Sequence, residues 1–507
     1  MNFHSLKSVV WSALPAFLPL FLSCSIGAAE IPDRPEKLKF PPLTYEPPRP
    51  QEHRLELKSG PVAYLVPSRE LPLVQVVIHV RAGDYLDPEG KEGVGGMAGY
   101  LVSRGGTVSQ SAEDLDERLA FLAANFSSSL SEARYTVSLN LLSKDLDEGF
   151  KILREALNQP RFQTNKLDLL KQQTIQGMKQ RNDDSSDIED RELTRLAYGE
   201  GFWLNRIPTQ ASVESVTQED LHSFHKKWVH PRNMVAAVSG DFDREAMSRR
   251  LEELFAAWPY PGESAPPVPS TADFAKPGVY MVEKDVNQGR VAVLLPGIRR
   301  DNPDNFAVAV MNMVLGGGGF TSRIMNRVRS DEGLAYSAFS TFRGGTYYAT
   351  PFHAGFQSKS ATVAYASSIV MEEMKRIATE QVSQEEWETA RRVFIDNLPQ
   401  RFSTRAQVAD AFADEEVTGR FATDPDYWRN YRSRIESVTR EDVQRVAAKY
   451  LDLKRAVVLV VGQKAEILKG HPNHAVTLGS LVAGPLVDLP LRDPMTLKPM
   501  SVSPQPK

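Results

Sequence analysis

The sequence predicts an α+β protein of two homologous domains, each a mostly antiparallel sheet with helices packed on one face. Three observations carry that prediction. Residues 214–240 read ESVTQEDLHSFHKKWVHPRNMVAAVSG and residues 436–462 read ESVTREDVQRVAAKYLDLKRAVVLVVG, a constant offset of 222 with 10 of 27 positions identical. A period that long is unsuited to a solenoid and suits a duplicated domain. Within each half, β-rich runs, hairpins and long helical stretches alternate, the pattern of helices segregated to one face of a sheet. Finally, 507 residues at 41% hydrophobic and 24% charged are enough for two ordinary globular cores.

The elements follow in order. Residues 73–82, rich in Val and Ile, read as a strand. Residues 124–142 read as a hairpin with Tyr135, Val137 and Leu139 on one face. Residues 167–196 are helical for most of their length, and 218–229 form a helix opened by Thr217, a good N-cap, before a strand at 234–239. In the second half, 290–295 read as a strand and 305–315 as a helix. A hairpin at 335–341 and 346–354 follows, then long helices at 361–377 and 383–400. These assignments give a first domain at 51–258, a Pro/Ser/Ala-rich linker at 259–278, a second domain at 279–469 and a Pro-studded tail at 470–507.

Residues 1–29 read as a secretory signal. Lys7 gives a thin positive start, residues 9–22 are largely apolar, and Gly27-Ala28-Ala29 offers small residues for cleavage. The apolar stretch is short for an uncleaved membrane span, and Leu22 two positions before Cys24 fits a lipid-attachment box poorly. Cleavage removes Cys24, the single cysteine, so the mature chain has neither disulfide nor thiol chemistry. A proline-rich leader, 30–50, follows. These features suit a bacterial periplasm. A net charge of -4 with no basic run argues against nucleic acid as a partner.

The second half carries Asp285-Val286-Asn287-Gln288 and Arg300-Asp301-Asn302-Pro303-Asp304. Then come LGGGGFTSR at 315–323, Arg329, and GLAYS at 333–337. This combination resembles the C-terminal domain of the insulinase-like (M16, pitrilysin) zinc peptidases, which include the mitochondrial processing peptidase. The resemblance covers about residues 51–469 and implies pairs of homologous α+β domains. Active members of that family carry His-x-x-Glu-His on a helix of the first domain, two His for zinc and a Glu as general base, with a second Glu one long helix later. The matching stretch here, 93–107, puts Gly96 and Tyr100 at the His positions and Gly99 at the base; Gly177 best matches the third ligand. None of the four required side chains is present. No metal or other cofactor is therefore expected in this chain. His222, His225 and His230 are the nearest thing to another metal cluster and read as a solvated helix face.

Arg329 and Tyr336 survive. In the family such a pair faces the zinc across a closed chamber and hydrogen-bonds the substrate carbonyl, a role that suits a charged fork and a neutral phenol. The glycine run 316–319 lacks the Lys-Ser/Thr of a phosphate loop and reads as a helix end that allows close chain approach. The resemblance thus implies a zinc-free subunit that binds extended or unfolded peptides and supplies Arg329 and Tyr336 to a zinc-bearing homologue in a heterodimer. The alternative is a non-catalytic scaffold or peptide-binding protein of an envelope complex.

Overall fold

The computed structural model describes residues 45–256 and 258–500, together with Asp33, Arg34 and Leu38. The expected signal, Cys24 and most of the leader lie outside the described residues. By its contacts the chain divides at Thr44, and everything below belongs to the unit that begins at Tyr45.

That unit holds two six-stranded sheets. The first comprises β1 (Arg54–Glu56), β2 (Val62–Pro67), β3 (Leu73–Val80), β4 (Asn125–Ser131), β5 (Arg134–Leu142) and β6 (Met234–Gly240). Their order is β1-β2-β6-β3-β5-β4, antiparallel except for the parallel pair β2/β6. The second comprises β7 (Gly278–Glu283), β8 (Gln288–Ile298), β9 (Ala335–Thr341), β10 (Thr350–Lys359), β11 (Val457–Gly462) and β12 (Leu486–Leu489). Its order, β12-β7-β11-β8-β10-β9, repeats the first, with β7 parallel to both β11 and β12. The fold is the expected α+β duplication.

The repeated residues have a structural cause. Thr217 caps the helix Gln218–Trp228: its Oγ1 accepts from Asp220 N–H at 3.2 Å, while Asp220 accepts from Thr217 N–H at 2.7 Å. Thr439 and Asp442 build the same box at the helix Arg440–Tyr450, with distances of 3.0 and 3.1 Å. Each box satisfies two helix donors that would otherwise lack partners. The strand after each helix, β6 and β11, sits inside its sheet and is almost wholly buried.

Several boundaries differ from expectation. The 167–196 helix is two helices, Thr164–Lys179 and Ser185–Tyr198, with Asp184 accepting from Ser186 N–H at the restart. The 305–315 helix is α-helical only through Asn312 and finishes as a π-helical turn, Met313–Gly317. The second hairpin arm begins at Thr350 rather than 346 and runs on to Lys359. The 383–400 helix ends at Asn397, just before Pro399.

Each sheet carries the helices of its own half on one face, and its other face takes a helix from the other half. The helix Ser185–Tyr198 lies on β8 and β11, where Ile188 and Leu196 pack with Ala292, Leu294 and Leu459. The helix Arg405–Val417 lies on β2 and β6, where Phe412 and Ala409 meet Tyr64, Val235 and Ala237. Polar contacts fix both crossings. Tyr64 OH donates to Glu416 at 2.8 Å, His79 Nε2 to Asp410 at 2.8 Å, and Arg290 Nε to Glu189 at 2.6 Å. The edge strands are β1 and β4 in the first sheet and β12 and β9 in the second.

Candidate functional site

The helix Val94–Leu101 presents three of the four positions where zinc chemistry would stand. Gly93 enters it at φ 98°, a conformation suited to glycine. Asp87 holds its N-terminus, accepting from Gly93 N–H at 2.6 Å and from Gly95 N–H at 2.8 Å. Gly96 and Tyr100, four residues apart, share a helix face. Tyr100 is 39% exposed, and the Arg104 guanidinium lies 4.2 Å above its ring. Gly177 is on the helix Thr164–Lys179, less than one turn past Thr174.

The three glycines differ sharply in what surrounds them. A Cβ on Gly177 would meet nothing within 4 Å, and one on Gly96 only Asp84 Oδ1 at 4.0 Å. A Cβ on Gly99 would lie 2.6 Å from Leu130 Cβ and 2.9 Å from Leu130 N. Strand β4 therefore presses against the helix where a general base would project, while the ligand positions open into space. At Gly96 and Tyr100 that space is a cavity of about 580 Å³ lined also by Met97, Leu130, Leu170 and Leu204, with Asp84 and Glu132 on its wall; Gly177 is not part of its lining. Burial and the charge of Glu132 push the Asp84 carboxyl up to about 6; burial pushes Asp87 up to about 7.

These residues do not fit a catalytic zinc ion. Glycine offers no donor, and one phenol does not replace three or four nitrogen, sulfur or carboxylate ligands. Among the described residues, no group of three or more His, Cys, Asp or Glu is placed to hold a metal. The histidine cluster is a correction: His225 is buried rather than solvated. Its Nε2 donates to Leu157 O at 2.6 Å, and burial lowers its pKa to about 4, so it is a neutral core group at pH 7. His222 packs its ring edge on Phe162.

The second site is built around Arg329. It lies in a π-helical segment, Asn326–Asp331, a conformation that recurs where a helix must place a functional side chain. Gly333, at φ 63°, turns the chain into β9, which carries Tyr336. The Arg329 guanidinium lies 4.7 Å from the Tyr336 ring centre and 4.7 Å from that of Phe320. Tyr336 is 84% exposed and Phe320 66%. Among the described residues Arg329 has no carboxylate partner and no side-chain hydrogen bond, so its donors remain available.

The glycine run delivers Phe320. A Cβ on Gly316 would strike the backbone and hydroxyl of Ser340, one on Gly318 would lie 2.7 Å from Met313 O, and Gly319 has φ 59°. Close packing on β9 thus accounts for Gly316, the preceding helical turn for Gly318, and the left-handed φ for Gly319. Arg323 of the same motif is an anchor, donating to both oxygens of Glu386 at 2.6 and 2.8 Å.

The two sites do not merge within the chain. Tyr336 lines a separate cavity of about 590 Å³ with Glu189, Arg290, Phe339 and His353. The helix Ser185–Tyr198 gives Glu189 to that cavity and Thr194 to the one beside Gly96. Of the residues expected from the sequence, the structure brings Arg329 beside Tyr336 and puts Gly96 and Tyr100 on one cavity wall. Sequence reasoning missed Phe320 as the second ring on Arg329, for which the only signal was its place after the glycine run. It also missed Asp84 and Glu132, which no motif marks.

The duplicated α+β fold, with glycines and a tyrosine where a zinc motif would stand, defines a metallopeptidase-like protein without metallopeptidase ligands. Comparison with known proteins agrees. Residues 65–201 match the model of insulinase (peptidase family M16), and residues 215–394 match that of the peptidase M16 inactive domain. The chain belongs to the M16 family as a member without the catalytic zinc motif. It is 24% identical over 337 residues to the non-peptidase homolog YmxG of Helicobacter pylori, covering 66% of this chain and 77% of that one. It is 27% identical over 239 residues to an uncharacterized zinc protease of Mycobacterium leprae, covering 46% of this chain and about half, 53%, of the relative. Among solved structures, a peptidase M16 inactive domain from Pseudomonas fluorescens superposes with a TM-score of 0.73 at 22% identity, over 81% of this chain and 97% of that one. The periplasmic protease PqqL of Escherichia coli superposes with a TM-score of 0.69 at 15% identity, over 81% of this chain and 45% of that one.

Proposed function

We propose that this chain is the zinc-free subunit of a two-subunit M16 peptidase. It helps to enclose extended peptides and presents Arg329 and Tyr336 to the zinc site of a partner that keeps His-x-x-Glu-His. The observation that carries this reading is the state of Arg329: 4.7 Å from the centres of two exposed rings, without a carboxylate partner among the described residues, in a chain whose own metal positions are empty of ligands. Cation–π contact with the two rings holds the guanidinium without using its N–H donors in an ion pair. Such donors stabilise a developing oxyanion far better in a closed, water-poor chamber than in bulk water.

A periplasmic location fits the signal-like residues 1–29 and the neighbour described as a periplasmic protease. Among the described residues, no helix is long and apolar enough to cross a membrane. The test is capture of the chain from its native envelope fraction under mild conditions. Recovery with an M16 homologue bearing His-x-x-Glu-His is the expected result. Recovery with unrelated envelope proteins alone would replace this reading with a scaffold.

A further inference from the structure

Residues 484–500 of the tail line neither cavity, yet they are tied to both halves of the chain. β12 adds to the edge of the second sheet, parallel to β7. Its entry is tight, since a Cβ on Gly484 would lie 2.3 Å from Pro277 O. Leu489 and Leu491 then pack against the cluster that holds Ile188 and Leu196. From there the chain reaches the first half and closes a short hairpin. Met500 N–H donates to Leu491 O at 2.8 Å, and Asp493 N–H to Lys498 O at 2.9 Å. The Asp493 carboxylate accepts from Met495 N–H at 3.0 Å, from Thr496 N–H at 2.7 Å and from Thr496 Oγ1 at 2.9 Å. Leu497, 8% exposed, turns at φ 57°, a left-handed conformation that a leucine keeps only where its surroundings fix it.

The hairpin grips the first half at two places, the turn before the helix Ser185–Tyr198 and the segment 206–210. Asn182 Nδ2 donates to Arg492 O at 2.8 Å, and Gln210 N–H to Met495 O at 2.9 Å. One guanidinium joins all three pieces: Arg181 donates to Pro494 O at 3.0 Å and to Pro208 O at 2.9 Å. Arg492 donates to the buried Glu192 at 3.1 Å and to Glu200 at 3.2 Å, and Met495 packs on the first core. Arg206, Ile207 and Pro208 are wall residues of the cavity beside Gly96. A segment that starts on the edge of the second sheet therefore ends by supporting one wall of the first-half cavity.

We propose that residues 490–500 are a clasp, a conformational device separate from both sheets. Closed, it ties the second sheet to the first half and fixes the wall at 206–208. Open, it frees that wall and the 180–184 turn while both sheets stay folded. Its grip is mostly hydrogen bonds to backbone, with Met495 as its apolar anchor in the first core, so it opens at lower cost than the sheets, whose strands bury apolar faces. The inference concerns this chain alone and does not rest on the split-peptidase reading.

The test is amide hydrogen exchange of the full chain carrying Arg492→Ala and Asp493→Ala, against the unmodified chain. Exchange over 180–184 and 206–210 is expected to rise roughly tenfold or more, the effect of losing about one net hydrogen bond from a local closing equilibrium, with β3 and β6 unchanged. Arg181→Ala in the full chain is the reciprocal variant. It should speed exchange within 491–500 by a similar factor, because a contact that couples two segments protects both. Unchanged exchange over 180–184 and 206–210 would overturn the inference. So would a rise shared equally by β3 and β6, or loss of the fold, since the tail would then be part of the cooperative core. Protection of 491–500 that survives Arg181→Ala would overturn it as well.

Discussion

At the residue scale, the three glycines in the metal-ligand and base positions carry different costs. Gly99 is fixed by the approach of Leu130, so Gly99→Ala forces a backbone or core shift and should destabilise by about 1–3 kcal/mol. Gly177 sits in a helix with free space around it, so Gly177→Ala should be neutral or stabilise by about 0.5–1 kcal/mol through helix propensity. Denaturant melts of both variants check this; equal effects would show that β4 does not press on the helix. Asp84 makes a prediction with a definite sign. Its folded-state pKa, raised to about 6, lies above that of an unfolded aspartate. Its contribution to stability is therefore full below about pH 4 and is lost as the pH rises through 6. Asp84→Asn should accordingly raise the melting temperature at pH 8 and leave it unchanged at pH 4. A gain of the same size at both values would contradict the assignment.

At the element scale, the two exchanged helices matter most. Phe412, fully buried, belongs by sequence to the second half and by packing to the first sheet. Phe412→Ala should cost about 3–5 kcal/mol and still give one cooperative unfolding transition. Two resolved transitions would show that the halves fold independently. The exchange also shows where the sequence was legible. Capping boxes at Thr217 and Thr439, the hairpin of β4 and β5, and the buried strand β6 rest on local chemistry and could be read from residues alone. Short strands such as β1 and β2, the parallel strand β7 and the tail strand β12 depend on distant partners and left no periodic signal. The outer face of each sheet was equally hidden, because the helix that covers it lies some hundred residues or more away in sequence.

At the scale of the whole molecule, each sheet has two edge strands, β1 and β4 in the first and β12 and β9 in the second. The β4 edge lies beside the cavity lined by Gly96 and Tyr100, and the β9 edge beside the one lined by Tyr336, next to Arg329. Single residues in a motif carry only the expectation of absent ligands and of an Arg/Tyr pair. The environment that gives those residues meaning was not legible in the sequence. The ring of Phe320 on Arg329, the unpaired carboxylate of Asp84 and the separation of the two cavities arise from chain segments that meet only in the folded structure.

The central claim is that this chain lends Arg329 to a zinc site in another subunit. The direct measurement is kcat for an extended peptide by the complex with its His-x-x-Glu-His partner, comparing the unmodified chain with Arg329→Ala at equal complex formation. The account predicts a fall in kcat of roughly a hundredfold or more, the size seen when one oxyanion donor is removed, with the complex assembled as before. Unchanged turnover by the intact Arg329→Ala complex would contradict it.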